Sequence, residues 1–501
     1  MKKATLILLM LVFLGGLMAC YQPQDGSTDL KTIYQDIVSL LPNVINHDFD
    51  IPKYAAVRVV FIMDERRHEG VFRYESPYFD TRKDLHIELT YAKTTETFTH
   101  SVVLAAIDSA INEHTLYLEF PRHLLTREQY VDASIAVYTQ KNGQPHLHHH
   151  TQDLEVRGRG NSTWFMPKPP LRLRFKENTS LLGMPAARNY VLLAEYSDPS
   201  LIRNTLVHKF SRLLSHIEYN LSTRTVEVYI NQEYMGVYTL TEHVEIHSNK
   251  LWFESAYPSL DAGYFLEQDQ RLYQSVLMEG RDWFQLGDRA YQIKVPNPSS
   301  SAHVQFIFNQ FQELENRLLL RGDYTSMMDV DNFIHYFIAQ ELFKNVDLGF
   351  SSVFIYKKPH DPIRMGPLWD FDLAMGNANY IDYGPEGFYG FAADKNRWYY
   401  LMMQIPEIRM RYRDLYNDIY FDIIPLLLDM IEPMGLALSE MAARNFNRWP
   451  ILNRYVWPNP PEMVALTTHY QHVLYVKHYL EHRANWMYQA VNDPSFITPS
   501  S

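Results

Sequence analysis

Two periodicities divide the chain. Between residues ~55 and 110 apolar positions alternate with polar ones: Val57, Val59 and Phe61, then Leu85, Ile87 and Leu89, then Val102 to Leu104. Period two over short runs predicts strands, and so a small β-rich module. Alternation returns in Leu154-Glu155-Val156 and in Leu171-Arg172-Leu173-Arg174-Phe175. Asn142-Gly143 predicts a hairpin turn, and Asn231-Gln232 predicts the turn of a hairpin in VEVYINQEYMGVYTLTEHV. Helical spacing dominates elsewhere. Residues 199–216 read as a helix begun by Asp198-Pro199, an N-cap followed by proline at the first helical position. Residues 303–320 and 329–345 read as helices. In the second, Val330, Phe333, Ile334, Phe337, Ile338 and Leu342 form one apolar stripe, a core face. Residues ~406–490 are mostly helical, with no internal repeat.

The N-terminus changes the picture of where the protein resides. Lys2 and Lys3 precede an apolar stretch from Leu6 to Met18, too short to favour a spanning helix. It ends at Ala19-Cys20, and Cys20 is the sole cysteine in 501 residues. A small residue before that cysteine fits a bacterial lipobox, so residues 1–20 are expected to be a lipoprotein signal with Cys20 lipidated. Residues 21–48 are expected to form a tether. The expected setting is extracytoplasmic, at the bacterial cell envelope, with the membrane reached through the lipid. One cysteine excludes an internal disulfide and a cysteine metal site. A net charge of −12 argues against a nucleic-acid partner. His146, His148, His149 and His150 read as a solvated loop rather than a metal site.

The richest chemistry lies in KNVDLGFSSVFIYK (344–357) and GPLWDFDLAMGN (366–377). The order is helix, loop with an aspartate, strand, turn, strand, loop with two aspartates. Protein kinases use this order: one Asp takes the acceptor hydroxyl's proton, a polar residue five positions on ligates metal, and an Asp across a hairpin holds the ions on the phosphates. Asp347 stands at the first place, Ser352 at the second, and Asp370 or Asp372 at the third. The same spacing also fits a loop-capping Asp347 and two aspartates bound to backbone amides. Hard oxygen donors suit Mg²⁺ or Mn²⁺. Arg157-Gly158-Arg159-Gly160, with Lys168, offers a tight turn and cations for phosphates, though it is no Walker motif. Glu242, or Glu245, is the carboxylate that would hold a phosphate-binding cation.

In order, RGRGNSTW (157–164), PKPPLRLRF (167–175), LLGMPAARNYVLLAEYSDPSLIRN (181–204), VEVYINQEYMGVYTLTEHV (226–244) and the two aspartate blocks resemble the spore-coat protein H (CotH) kinase family. The resemblance covers residues ~115–400, and less distinctly the helices beyond. It implies an α+β chain: a diverged protein-kinase-like domain over 113–490, behind a β-rich module over 49–112. It implies ATP with a divalent metal, Asp347 as catalytic base, Asp370 as metal ligand with Asp372 beside it, and Lys168 or Arg174 on the phosphates. The substrate it implies is Ser or Thr of a secreted or envelope protein. Arg174 and Ser352 depart from the family's Lys and Asn. Two other classes fit the sequence. One is an inactive surface adhesin or scaffold, since ATP is scarce outside the cytoplasm. The other is a glycosyl- or nucleotidyl-transferase using Asp370-x-Asp372.

Overall fold

The computed structural model describes residues 29–497, apart from 42–43, 46–48, 64–65, 73–80, 105–113, 142–143, 254–258 and 272–281. The expected signal segment, the lipidation site Cys20 and the Asn142-Gly143 turn lie outside the described residues. Among those described, no helix is long and apolar enough to cross a membrane.

The chain divides into two compact units, Met1–Ile107 and Asp108–Ser501. The first is built on a five-stranded sheet in the order Val44–Ile45, Thr94–Leu104, Thr81–Tyr91, Val57–Met63, Arg66–His68. The alternation of Val59 and Phe61, and of Leu85, Ile87 and Leu89, points those side chains into one core. Part of the expected tether is folded. Leu30–Leu40 is a helix capped by Asp29, whose carboxylate accepts from Lys31 N–H at 3.0 Å. Leu30, Ile33 and Ile37 form its apolar stripe and join the same core, a pattern hidden by the polar residues between them.

In the second unit seven strands close into a barrel. Their spatial order is Gln144–Gly158, Leu171–Thr179, Ala187–Leu193, Glu233–Glu242, Thr223–Ile230, His114–Glu119, Val131–Lys141. Neighbours are antiparallel except Thr223–Ile230 with His114–Glu119. Leu171, Leu173 and Phe175 point inward. The period of two therefore turns Arg172 and Arg174 outward, and the register sets Arg157 directly beside Arg172. Outside the barrel, Val191 and Leu193 pack on Phe265, Phe354 and Trp369 of a second layer. That layer is a five-stranded antiparallel sheet ordered Trp283–Leu286, Arg289–Val295, Tyr264–Gln268, Val353–Lys357, Arg364–Met365. Helices Ser301–Leu320, Val330–Leu342, Pro406–Asp422, Ile424–Ala437 and His469–Asn492 supply the largest core.

The chain is α+β, and the closed barrel is what the sequence did not announce. Alternation gives strands and faces, whereas closure depends on tilt and stagger, which side-chain pattern does not encode. The Asn231-Gln232 turn has both residues at positive φ (49° and 68°), the geometry that hairpin twist favours. The histidine run is strand, not loop: His146, His148 and His150 are exposed on Gln144–Gly158. The helix after Asp198 starts later than expected, at Arg203. Asp198 still serves its start, accepting from Arg203 N–H at 3.0 Å, but does so across a turn that includes Ser200.

Candidate functional site

A cavity of about 930 Å³ opens where the barrel's outer face meets the second sheet. Asp347, Asp370 and Asp372 all line it. Helix Val330–Leu342 delivers Asp347. The helix is buried on every side and runs into a short 3₁₀ turn, Val346–Gly349, which the Asn345 side chain caps by accepting from Asp347 N–H at 3.1 Å. Strands Val353–Lys357 and Arg364–Met365 then carry the chain out and back to Asp370. Ser352 Oγ donates to Asp370 Oδ2 at 3.1 Å, and Ser197 Oγ donates to Asp372 Oδ2 at 3.3 Å. Ser352 and Asp370 are both held in the left-handed region, at φ 61° and 69°. Such backbone persists where surrounding structure fixes it, which is common at functional sites.

That surrounding structure is a buried polar frame. Asn204 Oδ1 accepts from Phe371 N–H at 2.9 Å, while its amide donates to both carboxylate oxygens of Glu195 at 3.2 Å. Arg203, fully buried and ion-paired with Asp198, donates to the Ala374 carbonyl at 3.0 Å. Asn377 donates to the carbonyls of Asp372 (2.7 Å) and Ser197 (2.9 Å), and is itself met by Asn459 at 2.6 Å. The Phe371 N–H and the Ala374 and Ser197 carbonyls are buried, so leaving them unpaired would be costly. The two-aspartate loop is thereby pinned from three elements.

The electrostatics follow from crowding acids into one site. Burial and the neighbouring Asp370 push the Asp347 carboxyl up to about 7, against the opposing pull of Arg271. Burial, then Asp370, raises Asp372 well above the carboxylate range. Cations stand on the other side of the ledger. Arg157, Arg159, Arg172, Arg271, Lys294 and Lys395 line the same cavity. Arg159 lies over the Trp369 ring at 5.5 Å and feels Asp370 and Asp372. The Nε atoms of Arg157 and Arg172 are buried without a hydrogen-bond acceptor among the described residues. Both guanidinium groups also donate to the protein, Arg157 to the Arg127 carbonyl and Arg172 to Asn189 Oδ1 at 3.3 Å.

Sequence reasoning brought Asp347, Asp370, Asp372, Ser352, Arg157 and Arg159 to the cavity. It misplaced three other residues. Lys168 is buried (1% exposed) beneath the barrel's junction with helix Ser439–Arg448. There it donates to the Val237 carbonyl and to Asn445 Oδ1 at 3.0 Å. Arg174 pairs with Glu155 at 2.7 Å and stacks on Tyr130 at 3.6 Å. Glu242 accepts from Ser222 N–H near Lys250 and Arg212. None of the three is among the described residues lining the cavity, nor is Glu245. Arg172, an outward-facing residue of the Leu171–Phe175 alternation, and Lys294, which no sequence pattern marked, line the cavity instead. Asp269 and Arg271, joined at 2.7 and 2.9 Å, line it too, and no motif in the sequence marks them. The glycines of Arg157–Gly160 do allow a close approach, but by the protein itself. A Cβ on Gly158 would lie 2.1 Å from the Trp164 ring.

A family model for CotH kinase protein matches residues 156–487. The chain belongs to the CotH kinase family. The match runs from the barrel strand that ends in Gly158 to the C-terminal helix His469–Asn492, and so takes in every cavity residue named above. No curated protein matches the chain.

Mg²⁺ or Mn²⁺ fits the donor set. Among the described residues no three His, Cys, Asp or Glu stand as a ready cage. Two carboxylates with the hydroxyls of Ser352 and Ser197 beside them are instead what magnesium uses when substrate phosphates and water complete its shell.

Proposed function

We propose that this CotH kinase family member is a divalent-metal-dependent phosphotransferase. It moves the γ-phosphoryl of ATP to a Ser or Thr hydroxyl of a secreted or envelope protein. The observation that carries this reading is the convergence of Asp347, Asp370 and Asp372 with the cations Arg157, Arg159, Arg172 and Lys294 on one cavity.

Arg157, Arg159, Arg172 and Lys294 bind the phosphate chain and offset its charge. Asp370 and Asp372, assisted by the Ser352 and Ser197 hydroxyls, would hold the metal. When bound, that ion acts as a Lewis acid on the phosphate oxygens. Asp347 orients the acceptor hydroxyl and takes its proton. The acceptor oxygen bonds to the γ-phosphorus as the bridging P–O bond breaks and ADP leaves. A base works best with a pKa near the operating pH, and burial raises the Asp347 carboxyl in that direction.

We infer from the Ala19-Cys20 sequence that the chain is anchored at the envelope by lipid on Cys20. Cys20→Ser is expected to leave a precursor that no longer partitions into detergent, and unchanged partitioning would contradict the anchor. An adhesin reading is favoured by one observation: neither Lys168 nor Arg174 reaches the cavity. Calorimetric titration of ATP with Mg²⁺ or Mn²⁺ separates the two. Phosphotransfer requires metal-dependent binding that Asp370→Ala abolishes, whereas heat that is the same with and without metal sinks it.

A further inference from the structure

Residues 376–396 contain no helix or strand, yet they supply Tyr380, Tyr389 and Lys395 to the cavity. A segment without a ladder of its own must find partners for its backbone elsewhere. Here buried charges provide them. Glu341 accepts from the N–H groups of Tyr389 (3.0 Å) and Gly390 (2.5 Å). Arg483 pairs with Glu341 at 2.8 Å, both side chains wholly buried, and donates to the carbonyls of Pro385 (3.0 Å) and Gly387 (2.6 Å).

The segment also grips the turn that carries Asp347. The Tyr389 hydroxyl donates to the carbonyl of Val346, the preceding residue, at 3.0 Å. Two glycines show how close the surfaces come. A Cβ on Gly390 would lie 2.6 Å from Leu348, and one on Gly349 would lie 2.9 Å from Lys395 Cα. One contact is made from each side, so the two pieces of chain interlock.

We propose that Tyr389 is a positioning residue for Asp347, seated by the Glu341–Arg483 pair. This rests on the phosphotransfer reading of the cavity. A buried ion pair is weak evidence for stability by itself. This one satisfies four backbone groups of an irregular segment and ties two rigid helices, Val330–Leu342 and His469–Asn492, to the wall beside the base. The wall of the cavity next to Asp347 is thus assembled in the resting chain.

Tyr389→Phe removes one hydroxyl and keeps the ring. In the full chain it is expected to slow single-turnover phosphate transfer about tenfold, since small displacements of a reacting group are costly, with ATP affinity within about twofold of wild type. The amides of Phe350 and Ser351, which donate to the Asp347 carbonyl at 2.8 and 3.0 Å, are expected to exchange with deuterium faster. Wild-type transfer with unchanged exchange at those amides overturns the proposal. Should the wild type transfer nothing, the phosphotransfer reading falls on its own, and the exchange rates still decide the positioning role. Faster exchange supports it, and unchanged exchange refutes it.

Discussion

A carboxylate charged inside a protein costs free energy unless something compensates it, and Glu195 shows this most simply. It is buried behind the two-aspartate loop, and burial pushes it up to about 7. A carboxyl raised in the folded state binds protons the unfolded chain has released. Its stability contribution is therefore full below the unfolded value near 4.5 and is lost as pH rises through about 7. Denaturation from pH 5 to 8 is expected to weaken the wild type relative to Glu195→Gln by on the order of 3 kcal/mol, at about 1.4 kcal/mol per unit of pKa. Parallel pH profiles for the two proteins would rule this out. Lys168 gives a second test. Burial lowers it to about 7, and its ammonium is spent on Val237 and Asn445. Lys168→Met is expected to leave ATP affinity within about twofold, while Arg159→Ala weakens it about tenfold, the scale of a lost charge-assisted hydrogen bond. Titration calorimetry on the two variants decides, and the reverse ranking would restore Lys168 as a phosphate ligand.

At the scale of elements, the site is made by what ends them. The strand Gln144–Gly158 ends where Trp164 folds back onto Gly158, and this sets the course of Arg159–Thr163 along the cavity. Gly158→Ala puts a methyl 2.1 Å from that ring, so the ring or the loop that carries it must move. The expected result is a loss of about 2 kcal/mol in urea unfolding, within the range of overpacking, together with weaker ATP binding. Wild-type values in both would show that the turn adapts. The sequence carried much of this level. The order helix, loop, strand, turn, strand was legible because each piece has its own period and the turns announce themselves, as at Asn231-Gln232. The placement of Lys168 was not. A lysine near a glycine-rich turn reads as a cation for phosphates, and only the later helix Ser439–Arg448, bringing Asn445 to Val237 and to Lys168, occupies it otherwise. Arg172 and Lys294 were equally hidden, because their neighbours across the cavity come from distant strands.

For the molecule as a whole, the cavity draws on both layers. The barrel side contributes the cations Arg157, Arg159 and Arg172, and the sheet with its helices contributes the acids Asp347, Asp370 and Asp372 together with Lys294. Neither layer makes the cavity alone, and the family match spans both. The aspartates were readable from one contiguous stretch, whereas the cationic wall needed the closed barrel and its register. Phosphotransfer demands different jobs of the acids and of the cations. The most direct measurement is therefore single-turnover transfer from labelled ATP, with Mn²⁺ or Mg²⁺, by wild type and Asp347→Asn, each at a nucleotide concentration set by its own titration. The account predicts that Asp347→Asn binds ATP about as tightly as wild type but transfers about 10²–10⁴-fold more slowly, the usual cost of losing a general base. Transfer by Asp347→Asn at the wild-type rate would contradict it.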